Sequence, residues 1–250
     1  RVLDFGGNVG NILLDRESTI DPQDYWCIEV SRDAVAEGRR RHPDAHFIFY
    51  DRYNYEYNPT GTVGLPIPDP GVRFDVIVAW SVVTHNSKAE ALELIDQLMG
   101  LLTEDGRLAF TFLDPNWSPP PAWARATERP GLSNLHGLLE GRREVHRDID
   151  VPALLARAER LDLTWVNLVN GDELIFDPDD AGLTEDQRYS RAAQEAYALD
   201  PSHRAWRTYV SFCTPAYMHR LFPNAEIHPP VEPERHHCAI LDARKGTGRR

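Results

Sequence analysis

Apolar positions in the first half of the chain fall into short continuous runs, and between the runs they recur every three or four residues. The runs VLDF, YWCIEV, HFIFY, FDVIVAW and GRLAFTFL predict strands over Val2–Phe5, Tyr25–Val30, His46–Tyr50, Phe74–Trp80 and Gly106–Leu113. Ser31 and Asp33 open a predicted helix to about Arg41. His42-Pro43 stops it, because a residue before proline is pushed out of helical geometry. Ser87 opens another, with Ala91, Leu92, Ile95, Leu98, Leu101 and Leu102 at helical spacing. Strands alternating with helices make βαβ units, so the expected class is α/β with a mostly parallel sheet.

The pattern breaks after Asp114, where Pro115, Pro119, Pro120 and Pro121 crowd a segment that suits neither a helix interior nor a central strand. Beyond it a helix is predicted over Pro152–Leu161. The runs TWVNLV and DELIF then flank Asn170-Gly171, a pair suited to a type I′ hairpin turn. An acidic, helix-prone stretch, Thr184–Leu199, follows. Core character returns with Thr214-Pro215, an N-cap and first-turn pair for a helix to Phe222, and with strands at Ala225–His228 and His236–Ala243. A proline-rich turn joins these two strands, which predicts an antiparallel pair. The expected organisation is a core built from residues 1–114 and 210–250, with 115–209 an inserted substrate-recognition or cap region.

The strand VLDF runs into GGNVG, so Asp4 is followed by Gly6, Gly7, Asn8 and Gly10 at a strand-to-helix turn. Glycines there let backbone approach a ligand closely, and the carboxyl end of a parallel strand is where open α/β sheets bind ligands. Companion groups follow in order. Glu29, with Val30 beyond it, closes the second strand, where a carboxylate accepts both ribose hydroxyls of a nucleoside. Asp51 follows the third strand beside Arg52 and Tyr53, placed to accept from an exocyclic adenine amine. Trp80, then Ser81, ends the fourth, where a broad ring lies against an adenine or an aliphatic chain.

These residues resemble the class I methyltransferases that use S-adenosylmethionine. Asp4, Gly6 and Gly10 match the family's D-x-G-x-G-x-G, with Asn8 where the middle glycine is usual; asparagine tolerates left-handed backbone better than most residues. CIEVS is similar to the ribose-binding second motif, FDVIVAWSVVTH to the fourth-strand segment, and LLTEDGRLAFTF to the helix-to-fifth-strand segment. The likeness covers residues 1–114 and about 214–244. It implies a Rossmann-like sheet with an antiparallel terminal strand, and S-adenosylmethionine as cofactor with S-adenosylhomocysteine as product. The cofactor contacts it implies come from Asp4, Gly6, Gly7, Asn8, Gly10, Glu29, Val30, Asp51, Arg52, Trp80 and Ser81. By analogy with relatives of similar size it implies methylation, on oxygen by preference, of a small-molecule, sugar-containing or peptide acceptor in bacterial specialised metabolism.

A nicotinamide-dependent dehydrogenase would share the glycine turn and the later acid, but GxGxxG does not start at Gly6 or Gly7. The alternative from another class is a catalytically inactive partner subunit that keeps the fold as a scaffold. For an enzyme, His85 after the fourth strand and Asp114 after the fifth are the candidate bases, and Asn116, Trp117 and Trp123 the candidate walls of an acceptor site. Capping or packing is the plain alternative for His85, and local core for the tryptophans. Among residues of the insertion, His136, His203, Trp206 and Tyr209 are candidates of the same kind.

Charge and composition narrow the picture further. A net charge of −12 opposes binding to a polyanion, so no nucleic-acid partner is expected. Cys27, Cys213 and Cys238 form no CxxC pair, and His236 and His237 are adjacent on a strand, facing opposite sides, so no metal is expected. Scattered cysteines fit a reducing, cytoplasmic setting, and no apolar run reaches the ~20 residues of a membrane span. The chain opens at Arg1 directly into a strand, so further residues upstream are expected. The oligomeric state stays open.

Overall fold

The computed structural model describes residues 1–120, 132–143, 150–160, 165–169, 173–176, 209–232 and 234–249. The apolar runs form β1 (Val2–Phe5), β2 (Tyr25–Glu29), β3 (His46–Phe49), β4 (Phe74–Ala79) and β5 (Leu102–Phe112). Helix α1 (Asn11–Leu14) is a single turn after the glycine loop, whereas α2 (Arg32–Arg41) and α3 (Lys88–Met99) are full helices. The Ser31 hydroxyl accepts from the Ala34 N–H at the start of α2. Ser87 and Glu90 cap α3 reciprocally, satisfying backbone donors that have no partner within the helix.

Helix α3 buries Ala91, Leu94, Ile95 and Leu98 on one stripe against the sheet. Leu101 and Leu102 are not on that stripe. Leu102 pairs with Phe74, so β5 begins four residues before the predicted Gly106, with a register shift near Val76.

The sheet runs β3-β2-β1-β4-β5-β10-β9, its last members being β9 (Glu226–His228) and β10 (His237–Asp242). Strands β1 to β5 are mutually parallel, and β10 is antiparallel to both β5 and β9. This is the expected Rossmann-like sheet with its reversed terminal strand. From β1 the chain runs outward through β2 and β3, then crosses back to place β4 on the other side of β1. The carboxyl ends of β1 and β4 therefore diverge at a topological switch point, where loops leave in opposite directions and a crevice opens.

A second, three-stranded antiparallel sheet has the order β7-β6-β8, from β6 (Trp165–Val169), β7 (Glu173–Phe176) and β8 (Tyr209–Cys213). The predicted hairpin strands pair with each other; the turn between them, and the Thr184–Leu199 stretch, lie outside the described residues. Strand β8 was not expected from its run YVSFC, which is defined only by its pairing with β6. Helices α4 (Asn134–Arg143) and α5 (Val151–Arg160) close a small core of Leu135, Leu139, Val151, Val166, Leu168 and Phe212. Cys213 N–H donates to the Leu113 carbonyl at 2.9 Å, tying β8 to the end of β5. Helix α6 (Pro215–Leu221), capped by Thr214, leads back to the large sheet. Among the described residues, no helix is long and apolar enough to cross a membrane.

Candidate active site

A cavity of about 990 Å³ opens at the switch point, at the upper end of the range usual for ligand clefts. Its floor is the turn after β1. Gly6 (φ 76°), Asn8 (φ 55°) and Gly10 (φ 85°) all take left-handed backbone, which lets the chain reverse within one turn. Gly7 is needed for a different reason: a Cβ there would stand 2.3 Å from the Asp4 carboxyl, so the bare backbone lies directly on that side chain.

Asp4 is almost fully buried and accepts a hydrogen bond from the Tyr25 hydroxyl at 2.7 Å. Burial disfavours its ionised form and the nearby Glu29 adds repulsion. Together they outweigh the Tyr25 hydrogen bond and push its pKa up to about 6. Burial likewise pushes the Cys27 thiol and the Tyr25 phenol well above their usual ranges, so both stay neutral beside Asp4 and add no further negative charge.

Glu29 ends β2 with its carboxylate held on both oxygens, accepting from the Asn8 N–H at 2.9 Å and the Ser31 N–H at 2.8 Å. Each oxygen keeps a second lone pair, so the group is oriented without being used up. Across the cavity, the end of β4 carries Trp80, 46% exposed, and Ser81 at φ 57°. The Ser81 N–H donates to Thr111 Oγ1 at 2.7 Å, and this bond supports the unusual backbone. A 3₁₀ turn, Val83–His85, follows. There His85 Nδ1 lies 3.0 Å from the Tyr209 carbonyl and 3.3 Å from Glu56 Oε2, with the Tyr57 ring edge-on at 5.3 Å. Glu29, with its two oriented oxygens, and the His85 imidazole line the same cavity.

Residues 3–108, spanning the glycine turn and β1 through β5, match the model of a family described as a methyltransferase domain. Over these residues the chain is similar to a methyltransferase domain. Solved structures similar to it include the amino pentose methyltransferase CalS10 of Micromonospora echinaspora, at 12% identity over 97% of this chain and 83% of that one, with a TM-score of 0.48. The glycopeptide N-methyltransferase MtfA with S-adenosylhomocysteine aligns at 11% identity over 96% and 81%, with a TM-score of 0.48. Magnesium protoporphyrin IX methyltransferase from Synechocystis PCC 6803 aligns at 21% identity with a TM-score of 0.31. There the match covers 45% of this chain and 48% of that chain, about half the length of each. No curated protein sequence matches the chain.

The chemistry of the cavity lining fits the cofactor that the sequence resemblance implies. At Gly7 the bare backbone lies against the Asp4 carboxyl, and Glu29 offers a two-oxygen acceptor. Of the cofactor contacts implied by the sequence, Asp4, Gly6, Gly7, Asn8, Glu29, Val30, Arg52, Trp80 and Ser81 line this one cavity, as does His85. Gly10 and Asp51 do not. Gly10 packs under the Phe47 ring as the N-cap of α1, and Asp51 accepts from Asn58 Nδ2 at 3.1 Å.

Arg52 reaches the cavity wall, but its guanidinium is committed to Glu93 through bonds of 3.1 and 2.7 Å and to the Leu65 carbonyl at 2.9 Å. Asp114, Asn116 and Trp117 lie away from the lining. They form a turn in which Asn116 N–H donates to Asp114 Oδ1, and Asn134 bonds to the carbonyls of Asp114 and Trp117. Trp123, His203 and Trp206 are outside the described residues, and His136 sits on α4 near Glu140. Among the described residues no cluster could hold a metal ion. His237 stacks on Phe112, while His236, which precedes β10 rather than lying on it as expected, meets the Trp80 ring at 5.8 Å.

Several lining residues were not anticipated: Asn11, Ile12, Asp15 and Glu17 to Ile20, together with Asn54, Tyr57, Asn86 and Glu234. The single-turn length of α1 brings the first group in. A longer helix would have carried residues 15–20 away from the sheet edge, and the only hint of its shortness is the run DREST that breaks the apolar period.

Proposed function

We propose that the protein transfers the methyl group of S-adenosylmethionine to an oxygen of a small-molecule or sugar-containing acceptor. Residues 1–114 and 210–250 form the cofactor-binding core in this reading, and residues 115–209 form the acceptor-recognition region. The observation that carries it is the shared cavity of about 990 Å³, lined by the glycine turn, Glu29 and His85 together. A scaffold that had lost its cofactor would be expected to fill that space with side chains.

When bound, the cofactor supplies a methyl group on a positively charged sulfur, open to in-line displacement. The chain's own residues do the rest. Glu29 accepts the ribose hydroxyls, the turn from Asp4 to Asn8 supports the aminoacyl end, and Trp80 covers an apolar face and excludes water. His85 takes the proton from the attacking group. A base matters most for a hydroxyl, which is a weak nucleophile until its proton leaves, and this favours oxygen over nitrogen.

Thermal unfolding with S-adenosylmethionine, S-adenosylhomocysteine and NAD tests the cofactor half. At a hundred times its dissociation constant a ligand adds roughly 2.7 kcal/mol, so both sulfur nucleosides should raise the midpoint and NAD should not. Ligand-free protein that shows no shift would sink the proposal. Acceptor screening with ¹³C-methyl-labelled cofactor then separates O-methyl from N-methyl products by carbon chemical shift.

A further inference from the structure

The environment of His85 is asymmetric. On one edge of the ring Nδ1 meets the Tyr209 carbonyl at 3.0 Å and Glu56 Oε2 at 3.3 Å. Both partners accept only, so the hydrogen of the neutral ring sits on Nδ1 and the lone pair on Nε2. His85 lines the cavity, whereas Glu56 and Tyr209 do not, and Nε2 has no hydrogen-bond partner among the described residues.

Glu56 is itself held in place. Its Oε2 accepts from the Tyr209 N–H at 3.4 Å, and its own N–H donates to Asn54 Oδ1 at 3.1 Å. Asn54 and Asn58 exchange backbone hydrogen bonds of 3.0 Å, and Asn54 Nδ2 donates to the His85 carbonyl at 3.4 Å. The carboxylate, the imidazole and the carbonyl come from three separate segments: the loop after β3, the turn after β4, and β8 of the small sheet. The other titratable groups facing His85 are Tyr57, whose ring edge meets it, and His236, which lies near Glu234 at 3.7 Å.

We propose that Glu56 is the positioning residue for His85, fixing the Nδ1–H tautomer so that the Nε2 lone pair faces the acceptor, and that the acceptor carries an ionisable O–H or N–H. This rests on the reading of His85 as the base. In the step it serves, the acceptor's X–H bond breaks, its proton joins the Nε2 lone pair, and the electron pair left on X is the nucleophile. The imidazolium that results turns the Nδ1–H···Glu56 contact into a charge-assisted hydrogen bond, which stabilises the charge as it develops. An acceptor without such a proton, such as a tertiary amine or a thioether, gains nothing from the pair.

The test is imidazole ¹⁵N spectroscopy on the full chain labelled at histidine, with His85 assigned by the resonances that disappear in His85→Gln. In the neutral wild-type ring the expected pattern is a protonated Nδ1 and a bare Nε2. Glu56→Ala should lower the ratio of the two tautomers about fivefold or more, and Glu56→Gln, which keeps an oxygen acceptor, should restore it. A wild-type ring with its hydrogen on Nε2 overturns the proposal, as does a Glu56→Ala spectrum identical to the wild type. Calorimetric affinity for S-adenosylhomocysteine is the control, expected within about twofold of wild type in Glu56→Ala because Glu56 is outside the cofactor end. Loss of binding in the wild type itself would count against the cofactor reading and leave the tautomer result standing.

Discussion

Asp4 offers a conflict between stability and function that can be measured. Its carboxyl is 2% exposed, beside Glu29, with a pKa raised from 3.8 to about 6. A carboxyl whose folded-state pKa is raised stabilises the fold most below its unfolded value, and that contribution is lost as pH rises through about 6. At pH 7.5 the folded state therefore carries a penalty of roughly 3 kcal/mol from holding Asp4 ionised, relative to a pH below 3.8. Asp4→Asn removes the titration while keeping an oxygen that can accept from Tyr25. Thermal or urea melts of both proteins, without ligand, should run closest near pH 4 and separate in favour of the variant up to about pH 6.5. For a chain of this size the full separation corresponds to a midpoint roughly 6 °C higher for Asp4→Asn. Affinity for the cationic cofactor should move the other way, falling about tenfold with the loss of a charged acceptor. Stability curves of wild type and variant that stay parallel from pH 4 to pH 7.5 would refute the burial argument, and unchanged cofactor affinity would remove Asp4 from the binding site.

Gly7→Ala places a methyl group 2.3 Å from the Asp4 carboxyl, so either the turn or Asp4 must move. We expect a loss of about 1–3 kcal/mol in urea unfolding and a larger proportional loss of cofactor affinity by calorimetry. Arg52→Met leaves the Leu65 carbonyl without its guanidinium donor while Glu93, whose side chain is 43% exposed, recovers water. The expected cost is about 1–2 kcal/mol in unfolding, below the figure for a fully buried pair, with cofactor affinity little changed if Arg52 only anchors the loop after β3. A strong loss of affinity at full stability would instead make Arg52 a ligand contact.

The elements of the large sheet were legible along the chain because their causes are local. Continuous apolar runs mark strands buried on both faces, and Ser31, Ser87 and Thr214 announce helix starts whose caps are made by those same side chains. Part of the cavity lining was legible for the same reason: Asp4, Gly6, Gly7 and Glu29 sit at or just after strand ends, and a strand end in a parallel sheet has a known place. Asn8 was readable down to its left-handed backbone. What the chain did not reveal depends on contacts between distant segments. Strand β8 exists through its pairing with β6, β5 starts where Leu102 meets Phe74, and the partner of His85 is a glutamate 29 positions earlier, meeting it with a carbonyl 124 positions later. No local period encodes such meetings, because the free energy that selects them comes from burial and hydrogen bonding across the assembled fold. Sequence alone therefore determined the sheet and the ends of its strands, and tertiary structure decided which side chains those ends bring together and which way His85 turns its lone pair.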